Sequence, residues 1–255
     1  MKNFRFFGMA LVVVSMCVNF AACSKDNGSD GTGGTNGGDC LSEKKLTKIA
    51  SQTWTETFSY DDQARLIEAV EISENETNKY TYIWGNDAVV VNKETETVYP
   101  DNIVNRSSSY TYRIDNGLVR SADKDGETEI FRYNNSNRLS RIENGGWSDK
   151  YNWDEDKLVL INTFTFTYKE SCKKGYFPLF VNYISSCPLF TAHPEIAGIR
   201  TKQLPATITW TLNDGYGQEK KELTYSYKFD SEGYISTIDM EFNGEERDIY
   251  TLTWE

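Results

Sequence analysis

Chemistry in this chain would have to come from a small set of side chains. There are five cysteines, a single histidine and 38 acidic residues. His193 precedes Pro194 in an irregular stretch, and no Gly-x-Ser-x-Gly turn accompanies it. It therefore reads as a surface or loop residue, not as the general base of a triad. Two carboxylates a few ångströms apart would suit glycoside hydrolysis. No spacing singles out a pair, so the acids read as solvated strand faces. Asp154-Glu155-Asp156 and Asp123-Lys124-Asp125-Gly126 lack the ligand spacing of a calcium-binding EF-hand and read as ordinary turns. No Cys-x-x-Cys pair exists, which removes a zinc ribbon. The glycine run 31–38 does not sit between a strand and a helix, so it is no phosphate loop. No catalytic, cofactor-binding or metal-ligating constellation is expected, and the chain reads as a non-enzyme. Cys172 and Cys187 lie fifteen residues apart in one irregular segment, and a disulfide between them is expected in an oxidising compartment. Of the six tryptophans, five fall on strand positions beside core aromatics. Trp147, next to Gly145-Gly146, is the one expected to be exposed and to stack on a ligand.

The N-terminus accounts for two of the five cysteines. Lys2 and Arg5 precede an apolar run over 6–18, which is shorter than the roughly 20 residues a spanning helix needs. Phe20-Ala21-Ala22-Cys23 follows and resembles the bacterial lipobox. That resemblance implies cleavage after residue 22 and lipidation of Cys23. Residues 23–43 carry Gly, Ser, Asn, Thr and Asp and almost no apolar side chain, so they read as a flexible tether. Its acidic start resembles the surface-export tethers of Gram-negative lipoproteins. The expected location is the outer membrane, lipid-anchored and exposed at the cell surface. Removing residues 1–22 leaves 25 basic against 38 acidic residues. Such a balance argues against nucleic acid as a partner.

The remaining 44–255 must position whatever functions. Tyr and Thr dominate over Leu and Ala there, which favours strands. Tyr225-Ser226-Tyr227-Lys228-Phe229-Asp230-Ser231-Glu232-Gly233-Tyr234-Ile235 reads as strand, tight turn, strand. Five weaker copies precede it, with turns beginning at 61, 85, 115, 134 and 154. Their spacings of 24, 30, 19 and 20 equal two strands plus two turns. Strands so close in sequence must be antiparallel neighbours, which predicts a meander. The rhythm breaks over 169–205; three of the five prolines fall in 169–200, and 176–184 is the most apolar stretch of the mature chain. Pro194 is placed to start a short helix.

Repeated Tyr-x-Tyr-x-aromatic-Asp units behind a lipobox, with an apolar insertion ending in Lys202-Gln203-Leu204-Pro205-Ala206-Thr207-Ile208, resemble a family of bacterial lipoproteins of unknown function with a porin-like β-fold. The resemblance spans roughly 44–255 and supplies no catalytic residues. Tyr60-Asp61-Asp62-Gln63-Ala64-Arg65-Leu66 is also similar to one Tyr-Asp repeat of the Rhs toxin shells. The other copies fit that pattern poorly.

Alternation along each strand separates an aromatic face from a charged one. Tyr225, Tyr227 and Phe229 oppose Ser226, Lys228 and Asp230. A lipid-facing band would not carry mid-strand Lys, at a cost of about 2–4 kcal/mol each. The sheet is therefore expected to curl into a water-soluble barrel with its apolar face inward. A dozen or more strands leave a lumen too wide for strand side chains to fill, and 169–205 is the segment apolar enough to plug it. The functional expectation is an envelope binding or interaction module for a glycan or a protein. The alternatives are a structural protein pairing through a sheet edge and a hydrolase using surface carboxylates.

Overall fold

The computed structural model describes residues 44–124, 126–178, 187–213 and 218–255. The leader, Cys23 and the tether lie outside these residues. The first eight strands are β1 (Leu46–Ala50), β2 (Trp54–Tyr60), β3 (Leu66–Ser73), β4 (Glu76–Trp84), β5 (Ala88–Tyr99), β6 (Asn102–Asp115), β7 (Leu118–Lys124) and β8 (Glu127–Tyr133). Then follow β9 (Leu139–Asn144), β10 (Trp147–Asp154), β11 (Lys157–Ile161), β12 (Phe164–Ser171), β13 (Gln203–Asn213), β14 (Gln218–Phe229), β15 (Ile235–Phe242) and β16 (Glu246–Trp254). Each pairs antiparallel with its sequence neighbours, and β1 pairs β16 to close a barrel. The seam is completed by reciprocal backbone bonds between Lys45 and Glu255, at 2.6 and 2.8 Å. A closed barrel has no edge strand, which overturns the alternative of a structural protein pairing through its sheet edge.

Side chains alternate across the wall as a pleated strand requires. On β4, Asn78, Tyr80 and Tyr82 are buried inside while Lys79, Thr81 and Ile83 are exposed. The outer face carries ion pairs in mid-strand: Lys79 with Glu68, Arg132 with Glu143, Arg113 with Asp123 and Arg247 with Asp239. Exposed apolar side chains such as Ile83 and Ile249 are scattered among these charges and form no continuous band.

The repeat has a physical cause at one end of the barrel. The carboxylate or amide of Asp61, Asn134 and Asp230 accepts backbone N–H bonds from two to four residues ahead, at 2.8–3.0 Å. The fourth residue of each turn is then left-handed: Ala64 at φ 67°, Asn137 at 58° and Gly233 at 96°. The register slips by one residue directly beside each turn. This bulge turns the first residue of the next strand inward and tips the last aromatic of the preceding strand across the rim. Tyr60, Trp84, Tyr133, Trp153, Tyr168, Tyr227 and Trp254 each donate a side-chain hydrogen bond to a carbonyl on the preceding odd-numbered strand, at 2.5–2.8 Å. Seven of the eight even-numbered strands thus carry a polar aromatic that satisfies an irregular carbonyl. In β6 the matching place is held by Ile114. The sequence shows six copies. The barrel adds β12, whose turn is replaced by the insertion, and β16, where the described chain ends.

The bulge also corrects the reading of one face. Phe229 is 37% exposed, while Ile235 and Tyr234 are buried. Having no hydroxyl, Phe229 cannot bond the rim, and Tyr227 one step inside does so instead.

The insertion enters at this same end and fills it. Phe177 meets Tyr225 and Tyr227 edge-on at 5.8 and 6.1 Å. A short helix α1 (Pro188–Ala192) buries every residue, with Phe190 packed at 5.2 Å from Tyr112 and 6.1 Å from Phe131. A 3-10 turn over Pro194–Ala197 follows, begun by proline as expected, and closes on Gly198 at φ 66°. A Cβ on Gly198 would lie 2.5 Å from the Asn137 carbonyl oxygen and 3.0 Å from the Leu139 nitrogen. Only glycine lets the insertion approach the wall so closely.

Candidate functional site

The two ends of the barrel differ in chemistry. At the plugged end, His193 lies half-buried in the loop between α1 and the 3-10 turn. Its Nδ1 bonds Glu195 Oε1 at 2.9 Å, and Tyr60 and Trp84 stand edge-on to its ring at 5.9 Å. Burial opposes ionisation of Glu195, yet the hydrogen bond and charge of His193 bring its carboxyl below the usual range. This ties the one imidazole to a structural role between plug and wall.

Cys172 and Cys187 are both buried thiols, not the two halves of the expected bridge. Cys172 stays at the rim, where its backbone N–H bonds Lys202 O at 2.8 Å. Cys187 caps α1 deep in the lumen, and burial pushes its thiol up to about 12.

The opposite, far end of the lumen is polar. Register places Glu56, Glu71, Asn78 and Thr95 in one transverse row on the inner face of β2–β5. Tyr80 Oη donates to Glu71 Oε2 at 2.7 Å. Asn78 Nδ2 donates to Glu76 Oε1 at 2.8 Å, and Thr95 Oγ1 donates to Asn78 Oδ1 at 2.7 Å. Lys93 Nζ sits 5.2 Å from the Tyr80 ring centroid. Burial, with Glu71 beside it, raises the Glu56 carboxyl well above its ordinary value. Burial raises Glu71 as well, against the pull of Tyr80 and Lys93. Two directly opposed acids in a dry wall cannot both ionise easily. Beyond this row, a shallow cleft of about 690 Å³ is lined by Ser73, Asn75, Glu76, Thr97, Val98, Tyr99 and Pro100.

A second polar patch lies across the lumen on β8–β10. Trp147, Asn144 and Glu129 share one transverse row. Trp147 is 38% exposed, at the lip of a shallow cleft of about 350 Å³ along the β9–β10 turn. Glu129 is 3% exposed, and the side-chain amide of Asn144 is the hydrogen-bonding group that acts on its carboxyl. Burial pushes its carboxyl up to about 8, with Asn144 opposing and Asp149 adding to the shift. Tyr151, further along the same face of β10, is buried with its hydroxyl unpartnered among the described residues. Neither carboxylate group was singled out in the sequence, where Glu56, Glu71 and Glu129 are three acids among 38. The available signal was phase: Glu56 and Glu129 fall on the aromatic side of their strands, and Glu71 shares the inner face of β3 with Ala69.

No cluster of three or more His, Cys, Asp or Glu able to hold a metal occurs among the described residues. The perturbed acids are internal, whereas the hydrolase alternative called on carboxylates of the surface.

No protein-family model matches the chain, and no curated protein matches it. Among solved structures it is similar to a porin-like protein from Bacteroides uniformis ATCC 8492. The identity is 17% over 84% of this chain and 97% of that one, with a TM-score of 0.48. It is also similar to a porin-like protein from Bacteroides vulgatus ATCC 8482, at 13% identity over 79% and 77% of the two chains and a TM-score of 0.27. The class is an all-β, closed sixteen-stranded antiparallel barrel, and the strand pairing defines it.

Proposed function

We propose that this protein is a lipid-anchored, non-enzymatic binding module of the Gram-negative outer membrane, exposed at the cell surface. The far end of the barrel is its contact surface, and a glycan or a protein is its partner. The observation that carries this reading is the asymmetry of the ends. One is sealed by buried aromatics, while the other gathers clefts, an exposed Trp147 and polar groups on the inner face. The chain enters β1 through Lys44 and Lys45 at the plugged end. An anchor preceding Lys44 therefore attaches at the plugged end and leaves the far end unobstructed by the tether. Several acyl chains, at about 0.8 kcal/mol per buried CH2, hold a protein whose outer wall carries ion pairs and is suited to water.

Full-length protein in detergent is to be probed on a glycan array and by crosslinking on intact cells. Binding by the far end, with protease-accessible protein and palmitate labelling lost in Cys23→Ala, is the expected result. Membrane retention unchanged in Cys23→Ala would sink the anchor. Array and crosslinking profiles indistinguishable from background would sink the binding role. Saccharide cleavage by the purified protein would replace it with the hydrolase.

A further inference from the structure

The far-end patch on β8–β10 holds two groups whose hydrogen bonding is incomplete. The Glu129 carboxyl has only the Asn144 side-chain amide acting on it as a hydrogen-bonding group, and the hydroxyl of Tyr151 lacks a partner among the described residues, although each residue is 3% exposed. An unsatisfied buried polar group costs about 1–3 kcal/mol, so two incompletely bonded groups on one wall are a feature to explain. Both lie on the inner face with Trp147, because Trp147, Asp149 and Tyr151 alternate on one side of β10. Trp147 reaches Glu129 through Asn144, the cross-strand neighbour of both. Two strand spacings make that row about 10 Å wide, and Tyr151 lies about 13 Å along β10 from Trp147. Trp147 and Asn144 line the cleft at the β9–β10 turn, and Glu129 and Tyr151 lie buried behind it.

We propose that Trp147, Asn144 and Glu129, with Tyr151 further in, form a binding site for a short uncharged oligosaccharide. Trp147 stacks on the apolar face of a ring, and the other three exchange hydrogen bonds with its hydroxyls. This rests on the binding-module reading above and names the ligand class. Sugar hydroxyls both donate and accept, and so do a protonated carboxyl, an amide and a phenol. Burial keeps Glu129 protonated up to about pH 8, which suits a neutral partner. The charged groups that act on it, Asp149, Glu127 and Lys124, include two acids that disfavour an anionic ligand. A cationic ligand would require Glu129 to be ionised.

The test is calorimetry on the full-length protein in detergent. The probes are the tetrasaccharides of glucose, mannose, xylose and N-acetylglucosamine, at millimolar concentration. At about pH 6 at least one should bind, and binding should weaken as Glu129 ionises above about pH 8. Trp147→Ala should weaken it about tenfold, the size of one lost aromatic contact. Glu129→Gln keeps a neutral donor and acceptor and should stay within about threefold of wild type. Glu129→Ala should abolish binding. Because Glu129→Gln retains the fold's shape, loss in Glu129→Ala with retention in Glu129→Gln separates recognition from misfolding. No binding by any probe overturns the proposal, as does binding insensitive to Trp147→Ala. So does preferential binding of spermidine that grows above pH 8. A glycan bound elsewhere, or a protein partner crosslinked to the far end, would overturn this site and leave the binding-module reading standing.

Discussion

The plugged end and the far end are built from the same strands and have opposite energetics. At the plugged end most irregular backbone groups find a partner, although His193 Nε2 and Arg120 Nε are buried there without a hydrogen-bond partner among the described residues. Bulged carbonyls take bonds from rim aromatics, turn N–H groups take bonds from Asp or Asn, and the insertion meets the wall through glycine. At the far end acids face acids, and polar atoms are buried without partners. The difference teaches where stability is concentrated and where a function has room to act. Unsatisfied groups are tolerated only when the rest of the fold holds them in place.

Four perturbations sharpen that comparison. The largest expected effect is in the plug. Phe190→Ala should cost about 3–5 kcal/mol, because a fully buried ring leaves a cavity between Tyr112 and Phe131. In thermal unfolding this is a loss of roughly 10 °C or more for a domain of this size. Gly198→Ala should cost about 2–3 kcal/mol by forcing the insertion off the Asn137 backbone. Either variant melting like wild type would show that the insertion does not hold the barrel.

The second concerns pH and belongs to the far end. Glu56, Glu71 and Glu129 have folded-state values above their unfolded ones. The folded protein therefore binds more protons than the unfolded chain. Stability is fully present below the unfolded carboxyl value, near 4.5, and declines as pH rises through the raised folded values, about 8 for Glu129. The melting temperature should be higher near pH 5 than near pH 9. Glu129→Gln should flatten part of the slope. A melting temperature rising over that interval would contradict the assignment.

The third returns to the rim. Tyr133→Phe removes the donor to the Val119 carbonyl and should cost about 1 kcal/mol in chemical denaturation. Tyr99→Phe, in the far-end cleft, should change stability by less than about 0.5 kcal/mol. The last expected effect is a gain. Ala64→Gly should stabilise by about 0.5–1 kcal/mol, since Ala64 is held at φ 67° in the left-handed region. The reverse change at the matching place, Gly233→Ala, should destabilise, its Cβ falling 3.0 Å from that of Lys173.

Much of the fold was legible because its rules are local. Alternation placed Tyr225 and Tyr227 inward, and the Asp-led turns forced antiparallel neighbours. Errors arose where one residue changes phase. The bulge beside Lys228 and Phe229 turned Ile235 inward and left Phe229 outside, and no pattern of period two reveals such a slip. The disulfide was missed for a related reason: Cys172 and Cys187 are close in sequence, but one lies at the rim and the other at the start of α1. The far-end acids were invisible among many acids until closure brought their strands around a common interior.

By itself, the sequence determined the strand period, the turns, the two faces and the need for an apolar filler, because each depends on residues within one hairpin. Only the tertiary structure decided the number of strands, the closure of β1 on β16 and the rim aromatics' partners. It alone also gathered Glu56, Glu71, Glu129 and Trp147 at one end. Those depend on shear and register accumulated around sixteen strands, and on an insertion that seals one end and leaves the other polar.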